Sequence, residues 1–183
     1  EFDSGLYRRI TKDGRDIWIQ ASYNPVMDAD GKPYKVVKYA TDVSAQKFRN
    51  ADFEGQLAAI GKSQAVIEFD LTGTILTAND NFLNAVGYSL AEIKGKHHSL
   101  FVEPDYARSD AYAAFWRTLN AGEFVAEEFK RIGKGGKAIW IQASYNPVFD
   151  TRGRVAKVVK FATDVTGRVD AVNQIAEALS RLA

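Results

Sequence analysis

The only imidazoles in the chain are His97 and His98, and they are adjacent. One imidazole beside an apolar cavity is what a haem iron needs from a protein. Neighbouring side chains cannot both point the same way, so only one of the two could be an iron ligand. The alternative is that His98 caps or buttresses its loop while His97 is solvated. No histidine pair has metal-ligand spacing, no serine stands in a triad context, and Glu127-Glu128 alternate across a strand. An enzyme is therefore not expected. The sequence has no cysteine, which removes disulfides, thiol nucleophiles, Fe–S clusters and cysteine zinc sites. Gly133-Lys-Gly-Gly-Lys137 lacks the P-loop spacing, and Asp28-Ala-Asp-Gly31 lacks the glutamate that closes a calcium loop.

The elements that must position these residues are visible in a repeat. Residues 1–43 align with 123–165 without a gap and are identical at 26 of 43 positions, including Trp18–Val26 and Trp140–Val148. A period of 122 residues suits tandem domains rather than a solenoid. Each copy reads as three strands; in the second they are Phe124–Ile132, Ala138–Val148 and Val155–Asp164. Lys12-Asp-Gly-Arg15 and Lys134-Gly-Gly-Lys137 supply the hairpin turns. Alternation puts Ile139, Ile141, Ala143 and Tyr145 on one face and Trp140, Gln142, Ser144 and Asn146 on the other. Large apolar groups on both faces imply a sheet covered on both sides. Lys38 and Lys160 read as side chains snorkelling at a sheet edge.

Between the copies, Val66–Asp70 and Thr74–Ala78 form a further hairpin. Asn79-Asp-Asn caps a short helix ended by Gly87, and a longer helix runs from about Ser109 to Asn120 with Tyr112, Phe115, Trp116 and Leu119 as its stripe. The chain carries 46% hydrophobic and 26% charged residues with net charge +1, which describes a globular domain without a nucleic-acid surface. No apolar run reaches the roughly 18–20 residues of a membrane span, and no signal peptide opens the chain. A cytoplasmic location is expected.

This order of elements, with Asn79-Asp-Asn-Phe82, Gly87-Tyr88, Glu92-Ile-Lys-Gly95, Phe115-Trp116 and Thr163-Asp-Val-Thr166, resembles the PAS domain. The fold class implied is α+β: a five-stranded antiparallel sheet with short helices on one face and a C-terminal linker helix. Gly95-Lys-His-His98, Pro104-Asp105 and the repeated Trp-Ile-Gln-Ala-Ser-Tyr-Asn-Pro-Val block resemble tandem-PAS cytoplasmic chemoreceptors of the methyl-accepting, biofilm-dispersal and aerotaxis type. The resemblance implies a pocket walled by Phe115, Trp116, Ile141, Ala143 and Tyr145, with His97 and His98 beside it and His98 as the candidate haem-iron ligand. Haem agrees with this wall better than FAD does. Val102 and Glu103 stand where aerotaxis-type domains carry an Arg-His pair, and Val125 where they carry a tryptophan, although Asp105 is retained. Without those two cations the phosphates of a dinucleotide lose their partners.

The expected organisation is 1–43 as the back half of a first PAS unit, 44–62 as a linker helix, 63–165 as a complete PAS domain and 166–183 as a signalling helix. Asp42-Val-Ser44 and Asp164-Val-Thr166 place short polar side chains at the two helix starts. Phe53, Leu57 and Ile60 recur as Ile175, Leu179 and Leu182. Such stripes pack on their own sheet or form a seam between protomers. Trp18 and Trp140 cover the outer sheet face or transmit its movement. The reading is a sensory module whose pocket state biases a dimeric output helix, with Trp18, Asp42, Trp140, Asp164 and Thr166 in signalling. Its partners are a second copy, through linker helices and sheet faces, and a downstream chemotaxis domain. The alternatives are a ligand-free PAS interaction module, or a PAS segment of a histidine kinase or cyclic-nucleotide enzyme. Residues 1–43 lack the first strands of their own unit, so they are expected to pair with an upstream piece or a neighbouring protomer.

Overall fold

The structure is a computed structural model and describes residues 2–181. The chain forms two compact units, one through Ala58 and the other from Ala59 onward. In the first, strands β1 (Asp3–Ile10), β2 (Asp16–Met27) and β3 (Pro33–Asp42) make an antiparallel sheet in the order β1-β2-β3. Helix α1 (Ser44–Ser63) follows. Gly14 turns the first hairpin at φ +82°, a conformation that glycine adopts without penalty.

The second unit is an α+β fold. Strands β4 (Ala65–Phe69), β5 (Ile75–Ala78), β6 (Val125–Ile132), β7 (Ala138–Phe149) and β8 (Val155–Asp164) form an antiparallel sheet in the order β5-β4-β8-β7-β6. Between β5 and β6 lie helices α2 (Asp80–Val86), α3 (Leu90–Ile93), a 3-10 turn (His98–Phe101), α4 (Pro104–Ala107) and α5 (Asp110–Asn120). Helix α6 (Thr166–Ser180) leaves the sheet after β8.

Alternation decides what β7 contributes. Ile139, Ile141, Ala143 and Tyr145 are all buried, and they join Ile67, Phe69, Phe82, Ile93, Phe101, Phe115, Trp116 and Leu119 in one core. The opposite residues, Trp140, Ser144 and Asn146, are only half-buried. The same parity on β8 turns Val158, Lys160 and Ala162 inward. This corrects the expectation for Lys160. Its strand lies between β4 and β7, so it has no edge to snorkel over, and the residue is 1% exposed.

The short helices are closed by specific side chains. Asn79 Oδ1 accepts from the Phe82 amide at 3.0 Å and from the Val66 amide at 2.9 Å, tying α2 to β4. Its Nδ2 and that of Asn81 donate to the Gly61 and Gln64 carbonyls, closing the C-terminal end of α1. Gly87 ends α2 in the left-handed region at φ +76°. Among the described residues no helix is long and apolar enough to cross a membrane.

The stripes of α1 and α6 do not pack on their own sheets. Phe53, Leu57, Ile175 and Leu179 are 64%, 62%, 61% and 62% exposed. Leu182, the last position of the second stripe, lies outside the described residues.

Candidate ligand site

His97 and His98 face opposite ways, and the loop-capping role falls to His97 rather than His98. His97 is exposed and caps the 3-10 turn, its Nδ1 accepting from the Ser99 amide at 3.1 Å. A carbonyl only accepts, so His97 Nε2–H donates to Thr72 O at 2.8 Å. His98 is the buried one, with 0% exposure.

Gly73 makes this loop possible. Its φ is +86°, and a Cβ there would stand 2.6 Å from His97 Nε2 and 2.9 Å from the Trp116 ring. Gly73→Ala is expected to cost about 2–4 kcal/mol in urea unfolding, combining left-handed strain with displaced rings. Gly14→Ala carries a similar φ but meets nothing within 4 Å, and should cost about 1–2 kcal/mol.

The centre of the core is a hydrogen-bonded chain. Arg131 Nη2 donates to the Tyr145 hydroxyl at 3.1 Å, which lies 3.0 Å from His98 Nε2. His98 Nδ1 lies 2.8 Å from the Tyr112 hydroxyl. Arginine only donates, so the sole acceptor in this chain for the Tyr145 proton is His98 Nε2. That places the His98 proton on Nδ1, donating to Tyr112. Burial is the main force holding the His98 imidazole well below its usual pKa, with Lys160, Arg131 and His97 adding to it. Burial likewise raises Tyr145, and pushes Tyr112 up to about 12.

Lys160 stands beside this chain. Its Nζ lies 4.8 Å from the Tyr145 ring centroid and 5.6 Å from that of Phe82. Burial, then the Arg131 guanidinium, push its amine well below the usual lysine range. An enclosed cavity of about 20 Å³ is lined by Arg131 and Lys160 among apolar side chains. Lys160 and Arg131 were not among the residues read as site residues. Parity with Val158 and Ala162 was the signal for the lysine.

The predicted wall residues do converge. Phe115, Trp116 and Tyr145 lie with Phe69, Phe101 and Tyr112 around His98 at centroid distances of 5.2–6.4 Å. Ile141 lines the cavity, while Ala143 is packed in the core. These residues do not fit a porphyrin on His98. Both ring nitrogens are engaged by hydroxyls, six rings enclose the imidazole, and the cavity has room for about one water. FAD has no better site: Glu103 pairs with Lys130 at 3.3 Å, Asp105 pairs with Arg108 at 2.6 Å on the surface, and Val102 is buried.

The outer face carries a second constellation. The Trp140 amide donates to Thr166 Oγ1 at 3.0 Å, the Val165 amide to Trp140 O at 2.8 Å, and the Thr166 amide to the Asp164 carboxylate at 2.9 Å. Arg168, one turn into α6, pairs with Glu128 on β6. The first unit repeats the three-bond stitch: Trp18 amide to Ser44 Oγ at 2.8 Å, Val43 amide to Trp18 O at 2.8 Å, Ser44 amide to Asp42 at 2.9 Å.

A five-stranded antiparallel sheet with an inward-facing pocket strand, helices between its second and third strands, and an output helix stitched to that pocket strand define a PAS-type sensor fold. The family model described as PAS fold matches residues 1–40 and 75–162, and the chain belongs to the PAS family. It is 47% identical over 169 residues to the biofilm dispersion protein BdlA of Pseudomonas aeruginosa, covering 92% of this chain and 40% of that protein. It is 31% identical over 112 residues to the aerotaxis receptor of Escherichia coli, covering 61% of this chain and 22% of that one. The chain thus spans less than half the length of either relative. Among solved structures, a PAS domain from Colwellia psychrerythraea matches with TM-score 0.56 at 19% identity, covering 63% of this chain and 98% of that one.

Proposed function

We propose that this chain is the sensory part of a cytoplasmic chemoreceptor, in which the state of the second unit's core biases a paired output helix. The observation that carries this reading is the stitch between Trp140 and the Asp164-Val165-Thr166 start of α6. One face of β7 gives Ile141 and Tyr145 to the core, and its backbone at Trp140 holds the helix. A displacement of the core therefore moves the strand on which α6 is anchored. The names of the two relatives, a biofilm dispersion protein and an aerotaxis receptor, support a sensory role. On the input side, Asn79 and Asn81 hold the last carbonyls of α1.

The partner of the exposed stripe is a second copy of the chain. Phe53 and Leu57 on α1 correspond to Ile175 and Leu179 on α6, and Ile60 corresponds to Leu182 in the sequence that follows α6, although most surrounding residues differ. A two-helix seam would bury what each protomer alone exposes. Its output is a downstream chemotaxis signalling domain, and no catalytic step is assigned to these residues.

The absence of cysteine makes the test direct. Ile175→Cys is expected to form an intermolecular disulfide at least about 10-fold faster than Glu177→Cys on the same helix. Adding Thr166→Val should change that ratio. Equal rates at both positions would overturn the seam; a ratio indifferent to Thr166→Val would overturn the stitch as its control.

A further inference from the structure

All eight buried residues of β6–β8, from Arg131 to Ala162, are identical in β1–β3, against 18 of the other 35 aligned positions (26 − 8 of 43 − 8). In the second unit they form the surface on which residues 65–122 pack, with Ile67, Phe69, Phe82 and Trp116 in the same core. The strand edge is matched as closely. β4 pairs with β8 from Ala65↔Ala162 to Phe69↔Val158. The corresponding Val36–Ala40 of β3 differs from Val158–Ala162 only in having Tyr39 for Phe161. Exposed positions elsewhere in the repeat differ freely, as at Leu6 and Glu128 or Tyr34 and Ala156.

In the first unit the same surface is open. β3 ends its sheet, with β2 as its one neighbour there. Of the eight matching residues only Ile19 and Ala21, on the middle strand, are buried. Arg9, Lys38 and Ala40 are exposed, and Val36 is 61% exposed where Val158 is 0%. A free edge beside exposed apolar side chains is a template for a further strand. The hydrogen bonding shows the same gap. Tyr23 accepts from Arg9 Nη2 at 3.1 Å, as Tyr145 accepts from Arg131. Yet the first unit has no histidine to stand where His98 Nε2 meets the Tyr145 hydroxyl at 3.0 Å.

We propose that the inner face and the β3 edge of the first unit bind residues 65–122 of a second copy of this chain. The donated β4 adds antiparallel to β3 in the register Ala65↔Ala40 to Phe69↔Val36, and the donated His98 accepts the Tyr23 proton. The exchange replaces contacts with contacts to the same residue types, so its net cost is small, as in other domain swaps. The copy that donates opens its own β8 edge, which is equivalent and open to closure in turn. Release of β4 from β8 sets the rate. This inference goes beyond the sensory reading and does not rest on it.

The test is disulfide formation between two full chains, one carrying Ala40→Cys and the other Ala65→Cys, with a tag on one so that the mixed dimer is resolved. The two positions are opposed in the proposed register, as Ala65 and Ala162 are within the second unit. The mixed dimer is expected to form at least about 10-fold faster than from Tyr39→Cys and Ala65→Cys, because Tyr39 points to the other face of the strand. Subdenaturing urea should speed it by freeing β4. Adding Val36→Asp to the Ala40→Cys chain should slow it at least about 10-fold, since the new charge would be buried against Phe69. Val36 is exposed in the free unit, so this variant folds. Equal rates from positions 39 and 40, or a rate indifferent to Val36→Asp, would overturn the proposal. Either result leaves the seam read by Ile175→Cys standing.

Discussion

Lys160→Met is expected to raise folding stability by about 1–3 kcal/mol near neutral pH and to flatten its pH dependence. The wild-type amine is fully buried with no counter-charge, so burial depresses its pKa in the folded state. The unfolded chain keeps the ordinary value near 10.4. Between these two values the unfolded state carries a proton that the folded state lacks, and stability climbs with pH by at most about 1.4 kcal/mol per unit. His98 adds a slope of the same sign only below its ordinary value near 6.5, because its folded pKa is also depressed. Tyr112 and Tyr145 have raised folded pKa values and lower the stability only as pH passes about 10. Urea unfolding from pH 7 to 9.5 therefore isolates the lysine. A rising wild-type profile and a flat, higher Lys160→Met profile are the expected result. A destabilised methionine variant would show that the charge is neutralised by something within the fold.

Tyr145→Phe should cost about 3–4 kcal/mol, although it removes one oxygen from an otherwise unchanged ring. That oxygen is the acceptor for Arg131 Nη2 and the partner of His98 Nε2. Its loss leaves a buried guanidinium with two unpartnered nitrogens and an imidazole nitrogen facing carbon. Each such orphan costs about 1–3 kcal/mol, and a charged one more. The identical repeat provides the control. Tyr23 accepts from Arg9 at 3.1 Å in the same way, but Arg9 is exposed and water replaces the lost bond. Tyr23→Phe should cost less than about 1 kcal/mol. Hydrogen exchange of the β2 and β7 amides reads the two units separately. Equal losses in both would mean that burial is not what gives the Arg-Tyr pair its weight.

Much of the architecture was readable because it depends on near neighbours. The hairpins follow from Asp-Gly and Gly-Gly turns, the inward face of β7 from strict alternation, and the cap at Asn79 from a short polar side chain before an apolar run. The repeat marked Asp42-Val-Ser44 and Asp164-Val-Thr166 as helix starts, but the bonds from Ser44 and Thr166 to the Trp18 and Trp140 backbone needed the tertiary structure. His97 and His98 were singled out by their chemistry, but which of them caps the loop was not legible. The orientation of the pair depends on Gly73, whose missing Cβ admits the His97 ring at a distance no local pattern encodes.

Lys160 shows where the boundary lies. Sequence alone determined that a lysine alternates with valines on a strand, that its triplet with arginine and tyrosine recurs, and that the chain repeats a PAS-type sheet. Tertiary structure decided that this strand is central, because β8 pairs with β4, a segment some 90 residues earlier, as well as with β7. That pairing turns a surface-type residue into a buried, unpaired cation. The same long-range closure sets the size of the cavity and the enclosure of His98, since both are formed where elements distant in sequence pack together.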